Sequence, residues 1–178
     1  MFEAACRELL RAKRRTFVRT GACIAVSDGS YKNDFGTAAF IIQGANEVGK
    51  IRNSVVIPGS PEDQSAYRSE LGGIYGIMAM IKIVCEYYEI TKGYVEFRCN
   101  GERALQQCLK RGNVAPTAPQ FNLTTAIRAM LQRLPIKWSG RWVQGHQDAY
   151  FGPLDQWAAL NIEMDAAAKV LWAKTVEA

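Results

Sequence analysis

The spacing of hydrophobic positions changes several times along the chain, and each change predicts an element. Residues 22–26 form a short, unbroken apolar run, as expected of a central strand buried on both faces. That strand is expected to end at Asp28, just before Gly29 and Ser30. Further strands are expected over 37–43 and about 48–57, and the turn at 44–46 makes the pair an antiparallel meander. Pro58, Gly59 and Pro61 then interrupt the chain. Leu71, Ile74, Ile77, Met78, Ile81 and Cys85 follow at helical spacing, which lays one apolar stripe of a long helix on the sheet. The period returns to two over 94–99, a fourth strand. Helices are expected over 102–110 and 123–134, with a fifth strand over 136–143 between them and the end. Trp157, Leu160, Met164, Ala168 and Leu171 mark a closing helix. An amphipathic stretch over 2–15, with Phe2, Cys6, Leu9 and Leu10 on one side, adds a helix in front. The order is βββαβααβα in a single α/β domain, a five-stranded mixed sheet with flanking helices. Residues 1–20 are read as a basic helical extension and 21–178 as the domain.

A length of 178 residues suffices for one domain with a substantial core. The five cysteines, Cys6, Cys23, Cys85, Cys99 and Cys108, are odd in number and include no C-x-x-C pair. Buried free thiols in a reducing, intracellular setting are expected. A single histidine excludes a zinc site with two histidine ligands from this chain. No secretory leader or membrane span is legible. The net charge is +5, and Arg7, Arg11, Lys13, Arg14, Arg15 and Arg19 concentrate cations at the start. Such a balance suits a polyanionic partner but is also ordinary for a solvated face.

Chemistry enters at four positions. Asp28 follows the first buried strand, Glu70 opens the long helix, Asn100 directly follows the fourth strand, and Asp165 borders the buried stripe of the closing helix. Two divalent ions about 4 Å apart hydrolyse a phosphodiester by activating water and stabilising the leaving oxygen. Mg²⁺ is hard and keeps several waters, so a few carboxylates on rigid elements hold it. Three of the four positions offer a carboxylate and the fourth offers an amide.

The segments carrying these residues resemble those of ribonuclease H domains. DGSYKNDFGTAAF is similar to the first two strands of that family, and SAYRSEL to its S-A-x-R-A-E-L helix start, above all in the retroelement form. CNGERAL is similar to C-D-S-x-x-A-L apart from the Asn and Gly, and WVQGHQD to the V-K-G-H strand end. LDQWAALNIEMDAAAK resembles the closing helix of retrotransposon-type members. The resemblance covers roughly residues 24–169. It implies a ribonuclease H-like fold and endonucleolytic cleavage of the RNA strand in RNA–DNA hybrids, with two Mg²⁺ ions for which Mn²⁺ can substitute. Asp28 would bridge both ions, and Asp165 would help hold the one that activates water. Glu70 and position 100 would hold the ion at the departing oxygen. His146, on a loop, would assist proton transfer or product release. Gly29 and Ser30 backbone amides, with Glu70, would read 2′-hydroxyls, while Arg68 and the basic N-terminal residues would contact phosphates. A linked or neighbouring reverse transcriptase domain is the implied partner, and the chain is expected to be a monomer.

Asn100 is the departure with a chemical consequence. Its neutral carbonyl oxygen is expected to weaken ion binding and most cleavage while hybrid binding is kept. It is either an inactivating change or the natural residue of a degenerate member. The alternative is a non-catalytic nucleic-acid-binding or scaffold domain with a vestigial metal site. Ala66 and Tyr67 replace a polar pair of bacterial members, and 110–123 carries no basic handle. Trp138, Trp142 and Trp157 are read as core or sheet-packing aromatics.

Overall fold

The computed structural model describes residues 22–44, 49–150 and 152–177. The expected N-terminal helix over 2–15 and most of the turn at 44–46 lie outside them. The five strands are β1 (Ala22–Lys32), β2 (Phe35–Gly44), β3 (Lys50–Val56), β4 (Tyr94–Cys99) and β5 (Lys137–Trp142). The α-helices are α1 (Ala66–Tyr87), α2 (Glu102–Leu109), α3 (Phe121–Arg133) and α4 (Gln156–Val176), with single 3₁₀ turns at Pro61–Asp63 and Gln147–Ala149. The sheet runs β3-β2-β1-β4-β5. The first three strands pair antiparallel, and β4 and β5 continue parallel from β1.

β1 is central, and its alternation divides the core. Cys23 and Ala25 join a cluster with Leu71, Ile74, Ile77 and Ile81 of α1 and Ile127 of α3. Ile24 and Val26 face the other way, onto Leu160, Met164 and Ala168 of α4. The chain therefore has α1, α2 and α3 on one side and α4 on the other, and the expected stripe of α1 is buried throughout. Cys23, Cys85, Cys99 and Cys108 are buried free thiols. Burial pushes Cys23 and Cys108 up to about 12, which keeps them protonated.

One expectation needs correcting. β1 does not end at Asp28; it continues to Lys32 and turns through Asn33 and Asp34 into β2. Both turn residues have positive φ, 52° and 56°, the geometry of a two-residue hairpin whose twist suits antiparallel strands. Asn and Asp tolerate that conformation best after glycine, and Tyr31 braces the turn by donating to Asp34 Oδ1 at 2.9 Å. Asp28 thus sits mid-strand, opposite Ala39 of β2.

Candidate active site

The parallel ladder between β1 and β4 closes at Ser27 opposite Cys99. The next residue on each strand is therefore Asp28 and Asn100, side by side. Asp28 has the strand parity of Ile24 and Val26, so it points toward α4. It is 2% exposed. Asn100 Nδ2 donates to Asp28 Oδ2 at 3.1 Å, and Asn161 Nδ2 from α4 donates to the same oxygen at 3.0 Å. α4 begins at Asp155, whose side chain accepts from the Ala158 N–H. From that start Asn161 and Asp165 fall four residues apart on one face.

Glu70 arrives from the other side of the sheet. Ser65 caps α1 by accepting from the Arg68 N–H at 3.0 Å, which places Glu70 in the second turn. Close approach of α1 to β1 depends on Gly29: a Cβ there would stand 2.7 Å from both the Glu70 nitrogen and the Ser69 carbonyl carbon. Both are backbone atoms, so they cannot rotate away. Gly29→Ala is expected to destabilise the fold by about 1–3 kcal/mol through overpacking and to carry Glu70 out of the cluster. Urea unfolding measures this, and a loss under about 0.5 kcal/mol would show that strand and helix part freely.

Burial, then the nearby Asp165 carboxylate, raises Asp28 to about 7, against smaller opposing contributions from Asn100, the Gly29 N–H and Asn161. Glu70 is likewise raised well above the usual carboxylate range by burial and by Asp28, and the Gly29 N–H opposes this. The cluster therefore holds less negative charge near neutral pH than three free carboxylates would. Asp165 is paired with Lys169 on its own helix, Nζ to Oδ2 2.6 Å. That bond raises Lys169 in turn.

Two buried oxygens at this place have no partner among the described residues: Glu70 Oε2 and Asn100 Oδ1. A buried acceptor left without a donor is costly, and a bound cation would satisfy it. The oxygen-only donors Asp28, Glu70 and Asn100 suit a hard divalent ion. Among the described residues no three His, Cys, Asp or Glu side chains are grouped closely enough to hold one. Beside the two carboxylates, the amide oxygen of Asn100 is a further oxygen donor that an ion here could use.

The remaining expected residues are placed differently. Arg68 is 8% exposed, and its guanidinium donates to the Pro58 carbonyl at 2.9 and 2.6 Å and to the Gln120 side-chain oxygen. Those carbonyl acceptors engage three of its five N–H donors and tie the loops before α1 and α3. Gly29 directs its N–H to the carboxylates and Ser30 lies in the β1–β2 ladder, opposite Thr37. His146 is exposed, with φ 53°, and lines a cleft of about 560 Å³ with Gln144, Gln147, Tyr150 and Asp155. Trp138 packs on Phe97 and Trp157 lies under Arg98, as expected of packing aromatics. Trp142 does not: it is 48% exposed, and its Nε1 donates to the Asn100 carbonyl at 3.1 Å. β5 is an edge strand of the sheet. Asn161 was not singled out in the sequence, although its four-residue spacing from Asp165 was the available signal.

No protein-family model matches the sequence, and no curated protein matches it either. Solved structures do match. Ribonuclease H1 from the halophilic archaeon Halobacterium salinarum NRC-1 superposes with a TM-score of 0.56 at 14% identity, over 83% of this chain and 95% of that one. LC11-RNase H1, isolated from compost by a metagenomic approach, gives 0.59 at 12% identity, over 86% and 99%. With the strand order and helix placement described above, this chain has the ribonuclease H-like fold. No helix among the described residues is long and apolar enough to cross a membrane.

Proposed function

We propose that the chain is built to hydrolyse the RNA strand of RNA–DNA hybrids at a divalent-ion site centred on Asp28, and that Asn100 weakens this activity. The observation that carries the reading is the pair of unpartnered buried oxygens, Glu70 Oε2 and Asn100 Oδ1, beside an aspartate on the central strand. Asp28, Glu70 and Asn100 would hold Mg²⁺ or Mn²⁺, with Asp165 joining once Lys169 releases it. Bound there, the ion would activate water and stabilise the leaving oxygen. Asn161 keeps the Asp28 carboxylate oriented from the α4 side. Ser30 and Glu70 would meet the 2′-hydroxyls that distinguish RNA from DNA. His146, on its exposed loop, would accept or return a proton as product leaves. The motifs SAYRSEL and LDQWAALNIEMDAAAK favour the retroelement form of the domain, with a reverse transcriptase as its neighbour.

A second reading is a nucleic-acid-binding domain without catalysis. It is favoured by the Asn100 amide on Asp28 and by Lys169 on Asp165, which together occupy oxygens that an ion would need. A hybrid labelled on each strand, incubated with Mg²⁺ or Mn²⁺, decides between them. Cuts confined to the RNA strand and lost in Asp28→Ala support hydrolysis. Hybrid bound yet left whole by both the chain and its Asn100→Asp form gives the binding reading.

A further inference from the structure

The second face of the sheet is covered unevenly. Among the described residues α4 packs chiefly across β1, β2 and β3 and meets the outward face of β4 at Arg98, through Trp157, while Tyr94, Lys137 and Arg141 on that face are exposed. Parallel strands are normally covered on both faces, and β4 and β5 are a parallel pair. The side chains on this outward face are Tyr94, Glu96 and Arg98 from β4 and Lys137, Ser139 and Arg141 from β5. Apart from the Tyr94 ring, whose hydroxyl is hydrogen-bonded to Ser139 at 2.5 Å, they offer charge and not apolar area.

Arg98 and Arg141 are register partners, so two like charges stand side by side on adjacent strands. That arrangement costs stability. One carboxylate serves both. Glu96 Oε1 accepts from Arg98 Nε at 2.9 Å and Nη2 at 2.7 Å, while Arg141 Nε stands 4.0 Å from it. Arg98 is further fixed 3.9 Å over the Trp157 ring. The Arg141 side chain is 67% exposed, and Lys137 is exposed as well. Among the described residues the face thus carries three cations against one acid, with one arginine immobilised and two cations turned to solvent.

We propose that this face docks backbone phosphates of a nucleic-acid duplex, through Arg141 and Lys137 with Arg98 beside them. The ligand class rests on the function proposed above. Arg98 lies two residues before Asn100, so one end of the face borders the acid cluster. Lys137 lies four residues back along β5, about 13 Å away. The face therefore holds an arm of duplex leading away from the cutting site. A phosphate contact is sequence-independent and positions the duplex.

The test is fluorescence anisotropy of the full chain with labelled RNA–DNA hybrid across a salt series, using one hybrid long enough to cross the face and one too short. Arg141→Glu is expected to raise Kd for the long hybrid about tenfold and to lower the log–log salt slope by about one. The short hybrid should respond little. Glu96→Gln, which frees both arginines, should tighten binding of the long hybrid about threefold, the opposite sign from a merely structural defect. Both variants are checked for folding by thermal melting. If folded Arg141→Glu and Glu96→Gln leave Kd and slope unchanged while hybrid is bound, the docking surface is overturned and the hybrid reading stands. The same titrations with DNA and RNA duplexes separate the two ideas. Equal loss on every duplex, with no preference for hybrid, upholds the surface and removes the hybrid reading. Absence of binding to any duplex overturns both.

Discussion

Asn100→Asp is expected to increase cleavage of the RNA strand of a hybrid by well over the roughly 10–100-fold that outer ligand-supporting residues contribute at metal sites. At present the side chain gives its Nδ2 to Asp28 and leaves Oδ1 unpartnered. A carboxylate removes that donor and adds a second oxygen and a negative charge next to Asp28. Without an ion the change is repulsive, because burial and neighbouring acid already hold Asp28 and Glu70 above the usual carboxylate range. The ion-free variant should therefore melt lower than the parent near pH 8, and added Mg²⁺ should raise its melting temperature more than the parent's. Strand-resolved cleavage and melting with and without Mg²⁺ read the two effects separately. Equal cleavage by the two forms would mean that position 100 does not limit the reaction.

The second large effect is on stability and its pH dependence. Asp28 moves from 3.8 when unfolded to about 7 when folded. Between those values the folded chain binds more protons than the unfolded one, so stability falls as pH rises from about 4 through 7 and stays low above. A displacement of that size corresponds to roughly 4 kcal/mol at full effect. Glu70 acts in the same direction. Asp28→Asn removes the charge and keeps an amide oxygen to accept from Asn100 and Asn161. It should stabilise the ion-free chain at pH 8 by up to about 4 kcal/mol, raising its melting temperature by roughly 10 °C, and flatten the profile between pH 4 and 8. It should also abolish cleavage. Unfolding curves at several pH values check this; a profile indistinguishable from the parent's would show that Asp28 is not the group that titrates.

Much of the fold was legible because burial leaves a periodic record. The unbroken run 22–26 marked a strand covered on both faces, and the 3.6-residue stripe from Leu71 to Cys85 marked α1, because each pattern matches the surface that it must bury. Element order, and the positions of Glu70, Asn100 and Asp165 near the ends or on the borders of those elements, followed from the same record. Strand ends were read less well. The extent of β1 past Asp28 depended on Asn33 and Asp34 adopting left-handed geometry, which pairing with β2 enforces.

Which side chains meet was decided only by the tertiary structure. Arg68 occurs in a motif that suggests a phosphate contact, yet the nearby Pro58 carbonyl and Gln120 claim its donors. Asn161 has no local signal except its spacing, yet strand parity turns Asp28 toward it. The cationic face of β4 and β5 needed three facts together: the register of Arg98 with Arg141, the single acid Glu96, and the path of α4. Sequence by itself determined the layers, because hydrophobic burial is additive along an element. The site and its surroundings required the fold, because hydrogen bonds and charge pairs depend on distances between residues far apart in the chain.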